Sequence, residues 1–136
     1  MAYLVYADIT DEVVLAFGQT EVETYFAEVD DEINDIAEQL GVGSSNIDTD
    51  YNDTGRIHYK IRRYGIHYLS YRLLFDKAGV NNVEISPIDV EKYYVKAAEH
   101  KKQADMIKGE LTDAMFTDDV SNQSDRAAYS AVMVRM

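Results

Sequence analysis

The sequence predicts a mainly α-helical protein, a small helical bundle with a long central helix, a long C-terminal helix and an extended C-terminal arm. Three observations predict this class. Apolar residues recur every three or four positions over long stretches, the alternation typical of strands is scarce, and the chain has a single proline. Its 136 residues correspond to one domain. We expect a helical domain over residues 1–118 and an arm over residues 119–136.

Helices are predicted in the first third of the chain. Asp8 or Thr10 is expected to cap a short helix in DEVVLAFG through a side-chain oxygen. Asp30 or Asp31 is expected to cap another in DEINDIAEQLG, which Gly41 would end. This second helix carries one apolar stripe, formed by Ile33, Ile36, Ala37 and Leu40.

A long helix is predicted from about Thr54 to Ala78, capped by Asp53 or Thr54 and ended by Gly79. Its apolar positions are Ile57, Ile61, Tyr64, Tyr68, Tyr71 and Phe75. Three leucines make this stripe wider than the one apolar face of a surface helix. We therefore expect the helix to be central.

A second long helix is predicted from about Pro87 to Phe116, because serine at the cap and proline at the first helical position form a start signal. Apolar and small residues then step by four and three, as in a coiled coil. This seam consists of Tyr93, Ala97, His100, Ala104, Ile107, Leu111 and Ala114. Its small residues would permit close approach to the central helix.

The last ten residues, AAYSAVMVRM, do not continue the helical pattern. They indicate a loose arm or one extended strand, and a lone strand needs a partner. We expect this arm to dock on another molecule.

Composition excludes several classes of function. The chain has no cysteine, so disulfides, thiolate nucleophiles and cysteine–zinc sites are absent. No apolar run approaches the ~20 residues that cross a bilayer. A signal peptide has basic residues before its apolar segment, whereas no basic residue precedes the first apolar patch of this chain. We expect an intracellular protein without a membrane partner.

The net charge of -12 is unevenly distributed. Residues 1–55 hold fourteen acidic side chains and no Lys or Arg, whereas residues 56–112 hold eleven basic and seven acidic ones. This polarity suggests a head-to-tail contact between the acidic front of one copy and the basic middle of the next. The alternative is that the acidic residues keep the protein soluble.

Oxygen-bearing side chains are dense in NIDTDYNDTGRI, as they are in a calcium-binding loop. Counted from Asp50, the position that needs a bidentate glutamate is Ile61, and counted from Asp48 it is Tyr59. Because both registers fail, we expect a solvated loop that binds no metal or cofactor.

No catalytic constellation is recognisable in the sequence. His58 and His67 are nine residues apart, about 180° around a helix, and so do not form the i, i+4 pair of a zinc site. The paired carboxylates lie in segments typical of solvent exposure rather than of a cleft. An enzyme is therefore the least favoured class.

Contact with another protein accounts for the remaining features. The eleven tyrosines are many for this length, and tyrosine is enriched at protein interfaces. The stretch RIHYKIRRYGIHYLSYR interleaves basic and aromatic residues, which in isolation suggests nucleic acid. The acidic front of the same chain is expected to pair with it, and we favour a protein partner.

The order of these segments resembles the head-to-tail adaptor (head completion or connector) proteins of long-tailed bacteriophages. The resemblance covers residues 6–118 and is carried by ITDEVVLAFG, by DDEINDIAEQLG and by YRL…DKAG…YYVKAAEHKKQAD. It implies a non-enzymatic subunit of a homo-oligomeric ring, typically of twelve copies. The ring would bind below the portal protein, extend the DNA channel and receive the next connector or tail protein. DNA would be passing cargo, and the protein would reside in the virion neck.

Under this hypothesis, Arg56, Arg62, Arg63, Lys101 and Lys102 face Asp30, Asp31 and Asp35 of a neighbouring copy. The C-terminal arms of such proteins commonly reach the portal, so we expect portal binding by Tyr129, Val132, Met133 and Val134. Two alternatives stay open. One is a small acidic helical protein-binding module or regulator, and the other is a calcium-responsive protein.

Overall fold

A computed structural model describes residues 2–79 and 87–117, which form a mainly α-helical bundle, as predicted, without a strand. The α-helices are α1 (Glu12–Leu15), α2 (Gln19–Glu23), α3 (Phe26–Gln39), α4 (Tyr59–Gly79), α5 (Pro87–Glu110) and α6 (Asp113–Phe116). Short 3-10 helices cover Tyr6–Asp8 and Ser44–Asn46, and Tyr51–Asp53 forms a turn in which Asn52 has a non-helical backbone conformation. None of the described helices is long and apolar enough to cross a bilayer. The predicted arm lies outside the described residues.

α3 begins earlier than predicted. Its first residue is Phe26, so Asp30 and Asp31 lie in its second turn and the prediction that either caps it is wrong. Its buried stripe consists of Val29, Ile33, Ile36 and Ala37, with Leu40 partly buried against the core. The apolar stripe was therefore predicted correctly although the cap was not.

The end of α3 follows the prediction that Gly41 terminates it. Gly41 has a φ of 82°, a left-handed conformation that glycine adopts without steric cost. The N–H groups of Gly41 and Val42 donate to the carbonyl oxygens of Glu38 (3.0 Å) and Ala37 (2.8 Å). This is the Schellman arrangement, which satisfies carbonyls that a helix end leaves free.

α4 begins five residues later than predicted, at Tyr59. Asn52 and Asp53 have φ of 51° and 61°, which a right-handed helix cannot contain. The prediction that Asp53 or Thr54 caps α4 is therefore wrong. His58 takes this place, since its Nδ1 accepts a hydrogen bond from the backbone N–H of Lys60 (3.1 Å).

α4 is packed on three sides, which confirms its predicted central position. Towards α3, a Cβ added to Gly65 would lie 3.0 Å from Val29 Cγ1 and 3.4 Å from Ile33 Cδ1, so glycine permits this close approach. The N-terminal segment covers a second side, where Lys77 binds Glu21 (2.6 Å). α5 covers the third. The fully buried side chains of α4 include Ile61, Leu69, Leu73 and Leu74.

α4 and α5 run antiparallel. From the start of α4 to its end, the contacts are Lys60 with Glu110, His67 with His100, and Phe75 with Tyr94. The predicted seam of α5 is confirmed for Ala97, Ala104, Ile107 and Leu111, which are buried. Small side chains at two of these positions let the helices approach closely.

The last predicted helix is interrupted before Phe116. α5 ends at Glu110, Thr112 is extended (φ −125°, ψ 162°), and α6 follows. The break directs Phe116 into the core, where it is fully buried and its carbonyl oxygen accepts a hydrogen bond from Asp48 N–H (2.7 Å). A continuous helix would have carried Phe116 about 9 Å beyond Glu110 along the α5 axis.

Candidate protein-binding surfaces

The charged residues predicted to meet at a subunit interface divide into two groups. Members of the first group already have partners within the chain. Asp30 Oδ1 accepts a hydrogen bond from Tyr3 N–H (3.0 Å), and Lys101 Nζ binds Asp105 Oδ2 (3.0 Å). Their contact with a neighbouring copy stays a prediction.

Arg56 belongs to the same group because it binds Asp8. Two parallel hydrogen bonds join them, Nη1 to Oδ1 (2.8 Å) and Nη2 to Oδ2 (2.5 Å), and Nη2 also donates to the carbonyl oxygen of Tyr3 (3.2 Å). Burial on its own would raise the pKa of Asp8, but the guanidinium and the N–H of Val5 hold it below its usual value. The pair fastens the N-terminal segment to the loop before α4.

A basic residue of α4 also meets the acidic front, as the sequence suggested. Arg72 Nε binds Glu28 Oε1 on α3 (3.2 Å). Arg62 is half-buried, and its Nε has no hydrogen-bond partner among the described residues. Its positive charge helps to lower the pKa of Asp8.

The second group consists of Asp31 and Asp35 on α3, Arg63 on α4 and Lys102 on α5. All four are exposed, and none forms an ion pair with another described residue. Gly65 faces α3, and residues two positions apart in a helix differ by about 200° around its axis. Arg63 therefore points away from α3, and the two acids lie on the opposite side of the bundle from it.

Five rings of α4 and α5 form a continuous row, the aromatic ladder: Tyr64, Tyr68, Tyr71, Phe75 and Tyr94. Successive ring centroids lie 6.0, 6.3, 5.9 and 5.8 Å apart. Tyr64 is buried, whereas Phe75 and Tyr94 are 44% and 43% exposed. The ladder therefore runs from the core to an exposed aromatic end.

The inner tyrosines of the ladder keep their protons. Burial, together with the negative charge of Glu32, raises the pKa of both Tyr64 and Tyr68 above the usual tyrosine value. Near the middle, Lys101 Nζ lies 5.7 Å from the centroid of the Tyr71 ring, within the range of a cation–π contact.

Two histidines join α4 and α5 to the start of α1. Nδ1 of His67 lies 3.0 Å from Nδ1 of His100, and Nε2 of His100 lies 2.7 Å from Oδ2 of Asp11. Asp11 caps α1 by accepting a hydrogen bond from Val13 N–H (2.9 Å), and its Oδ2 is 3.4 Å from Lys96 Nζ. The prediction that Asp8 or Thr10 caps this helix is therefore wrong.

The lowered pKa of Asp11 sets the direction of the hydrogen bond that it makes with His100. Nε2 of His100 donates to the carboxylate of Asp11, so one proton is left between the two Nδ1 atoms. Burial and the positive charges of His100 and Arg63 lower the pKa of His67. The spacing of histidines along one helix could not predict this contact; the place of His100 in the α5 seam was the available signal.

The loop before α4 uses its oxygen atoms within itself. Asp50 Oδ1 accepts a hydrogen bond from Gly55 N–H (2.6 Å), and Asp48 Oδ1 accepts one from Asp50 N–H (2.8 Å). Across residues 2–79 and 87–117, no group of three or more His, Cys, Asp or Glu side chains could hold a metal ion.

The residues predicted to bind the portal, Tyr129, Val132, Met133 and Val134, lie outside the described residues.

Comparisons with protein-family models, curated proteins and solved structures found no match to this chain.

Proposed function

We propose that this chain is a structural subunit of a connector ring in the neck of a long-tailed bacteriophage. The ring binds below the portal, extends the DNA channel and joins the capsid to the tail. Support comes from the resemblance of residues 6–118 to head-to-tail adaptors and from the two long antiparallel helices at the centre of the bundle.

One observation carries the proposal: unlike charges without partners among the described residues lie on opposite sides of the bundle. Asp31 and Asp35 are exposed on α3, and Arg63 points away from α3 on α4. Their positions prevent them from pairing with each other inside one chain. The acids of one copy can pair with the arginine of the next.

A contact between two different surfaces is heterologous, and it closes into a ring when each step rotates by the right angle. Exposed ion pairs add little affinity, but complementary charge sets orientation and speeds association. Such a contact forms readily when the portal already holds the copies side by side.

Co-expression with the portal protein of the same virus tests the proposal, with negative-stain electron microscopy as the measurement. We expect rings on the portal for the wild-type chain. Arg63→Glu and the double variant Asp31→Arg/Asp35→Arg should each prevent ring closure. Combining all three substitutions should restore the rings, because the charges are then exchanged rather than removed.

Glu12→Arg is the control for reversing an exposed charge that belongs to neither proposed surface, since Glu12 lies on α1. Circular dichroism of each variant checks that the fold is kept. Rings that persist in both charge-reversed variants would exclude this contact. A wild-type chain that never binds the portal would exclude the proposed function itself.

The exposed end of the aromatic ladder favours a second candidate, a small helical protein-binding module. Phe75 and Tyr94 present two rings to solvent beside each other (centroids 5.8 Å apart), and exposed aromatic pairs are typical of protein contacts. Phe75→Ala/Tyr94→Ala separates the two functions. If the variant still forms rings on the portal, the ladder end serves another partner; if the rings are lost, the ladder belongs to the connector.

A further inference from the structure

The side of α5 that faces away from α4 carries an alternating set of charged and apolar residues: Val95, Glu99, Lys102 and Met106, here called the outer α5 face. They are spaced by four, three and four residues. At about 100° per residue, all four lie within about 60° of each other around the helix. The buried residues Ala97, Ala104 and Ile107 lie on the other side.

Among residues 2–79 and 87–117, no contact covers the outer α5 face. Val95 and Met106 are 53% and 54% exposed, which is unusual for two apolar side chains on one helix face. Glu99 and Lys102 are exposed and form no ion pair with a described residue. Neighbouring charges on α5 behave differently, since Lys96 pairs with Asp11 and Lys101 with Asp105.

The outer α5 face is complementary to itself when read in reverse. About a centre between His100 and Lys101, position 95 corresponds to 106 and position 99 to 102. A two-fold axis at this centre therefore places Val95 of each copy opposite Met106 of the other copy. It likewise places Glu99 of each copy opposite Lys102 of the other. A two-fold contact requires this reciprocity.

We propose that two copies of this chain form a homodimer in which their α5 helices pack antiparallel through the outer α5 face. Two Glu99–Lys102 ion pairs flank the axis, and two Val95–Met106 contacts lie outside them. The inference does not depend on the proposed connector function. Lys102 was predicted to face an acid of a neighbouring copy. In this dimer, that acid is Glu99 of the second copy.

The dimer contact is confined to about three helical turns. Val95 and Met106 are about 16 Å apart along α5. Beyond them, Glu91 of one copy approaches Glu110 of the other, and the contact ends there because like charges repel. Glu110 is bound by Lys60 (3.4 Å) in its own chain. A contact this small is typical of weak, transient association, so dimerisation should depend on concentration.

Sedimentation of the full chain over a concentration series tests the proposal. We expect a monomer–dimer equilibrium for the wild type. Glu99→Lys and Lys102→Glu should each weaken self-association by about tenfold or more, because like charges then meet at two places. The double variant should recover it. Lys108→Glu is the matched control, since it reverses an exposed charge on α5 off the outer face.

Cross-linking provides a second measurement that is independent of charge. The chain has no cysteine, so single cysteines can be introduced cleanly. A disulfide needs Cα atoms within about 7 Å. A mixture of Val95→Cys and Met106→Cys should oxidise to a mixed dimer, whereas Val95→Cys alone should not form a dimer with itself.

Three results would overturn the dimer. The first is a wild-type chain that stays monomeric at about 1 mM. The second is a double charge-reversed variant that does not recover the association lost in the single variants. The third is a Val95→Cys chain that forms a disulfide with itself as readily as with Met106→Cys. Loss of portal rings without loss of the dimer would count against the connector function alone.

Discussion

Nδ1 of His67 lies 3.0 Å from Nδ1 of His100, so the two rings share one proton across the interface of α4 and α5. If a second proton bound, both Nδ1 atoms would carry hydrogen, and neither could accept a hydrogen bond from the other. Asp11 and Lys96 face His100, and Arg63 adds positive charge on the side of His67. This contact should therefore make the bundle sensitive to acid.

We expect the melting temperature to fall as the pH decreases from about 7 to about 5. The pKa of His67 is lowered in the fold, mainly by burial, from about 6.5 in the unfolded chain. Below about 6.5 the unfolded chain binds more protons than the fold, and stability decreases until the folded pKa is passed. Thermal unfolding followed by circular dichroism at several pH values measures this.

His67→Asn is the informative variant for this prediction, since an amide can still bond to His100 but does not titrate. It should lose the part of the dependence between pH 7 and 5 that His67 contributes. His58, whose pKa is also lowered by burial, keeps its own part. Asp11 acts in a lower window, because its pKa is lowered and its contribution disappears below about pH 4. An unchanged pH profile in His67→Asn would show that His67 is not the sensor.

Gly65→Ala should destabilise the bundle although alanine is the better helix former. The new Cβ would lie 3.0 Å from Val29 Cγ1, and overpacking costs about 1–3 kcal/mol against a helix-propensity gain of about 1 kcal/mol. Gly109→Ala is the matched control, because nothing lies within 4 Å of its added Cβ. It should stabilise by about 0.5–1 kcal/mol. Urea unfolding measures both, and a stabilised Gly65→Ala would contradict the close packing.

Asp8→Asn should lower the free energy of unfolding by about 1–2 kcal/mol, since it weakens two charge-assisted hydrogen bonds from Arg56. Asp105→Asn is the comparison. The side chains of Lys101 and Asp105 are 53% and 62% exposed, so the loss should be clearly smaller than that of Asp8→Asn. Equal losses in urea unfolding would argue against a structural role for the Arg56–Asp8 pair.

Deleting residues 127–136 should abolish binding to the portal and leave the far-ultraviolet circular dichroism of the helical bundle intact. Replacing the same ten residues with a Gly/Ser segment of equal length is the control that separates sequence from length. Co-purification with the portal measures binding. A truncated chain that is still retained by the portal would show that the arm has another role.

Calcium at about 1 mM should leave the melting temperature unchanged. Asp50 Oδ1 is already bound to Gly55 N–H (2.6 Å), and no described group of acids converges on one point. A cation that bound the fold would raise the melting temperature by linkage. A rise that a chelator reverses and that magnesium does not reproduce would restore the calcium-responsive alternative.

Periodicity predicted the parts of the fold that depend on burial. The width of the apolar stripe placed α4 at the centre, and the small residues of the α5 seam, such as Ala97 and Ala104, were predicted to face it. Both follow from helical geometry alone, since residues three and four apart share a face.

The caps and the long-range polar contacts could not be predicted in the same way. Several side chains can serve as a cap, and backbone conformation selects among them, as the positive φ of Asn52 and Asp53 excludes a helix start there. Arg56 and Asp8 are 48 residues apart, so their pairing depends on how the helices are arranged. The charges that pair inside the chain were therefore indistinguishable in sequence from those left exposed.

The burial of α4 on three sides has a consequence for biosynthesis. A nascent chain that has emerged only as far as Gly79 lacks α5, so the flank of α4 that carries His67 and Phe75 is bare. Because synthesis runs from the N-terminus, the bundle cannot close until α5 has left the ribosome. The three segments that enclose α4 thus make the chain indivisible, and a fragment ending at Gly79 should aggregate rather than fold.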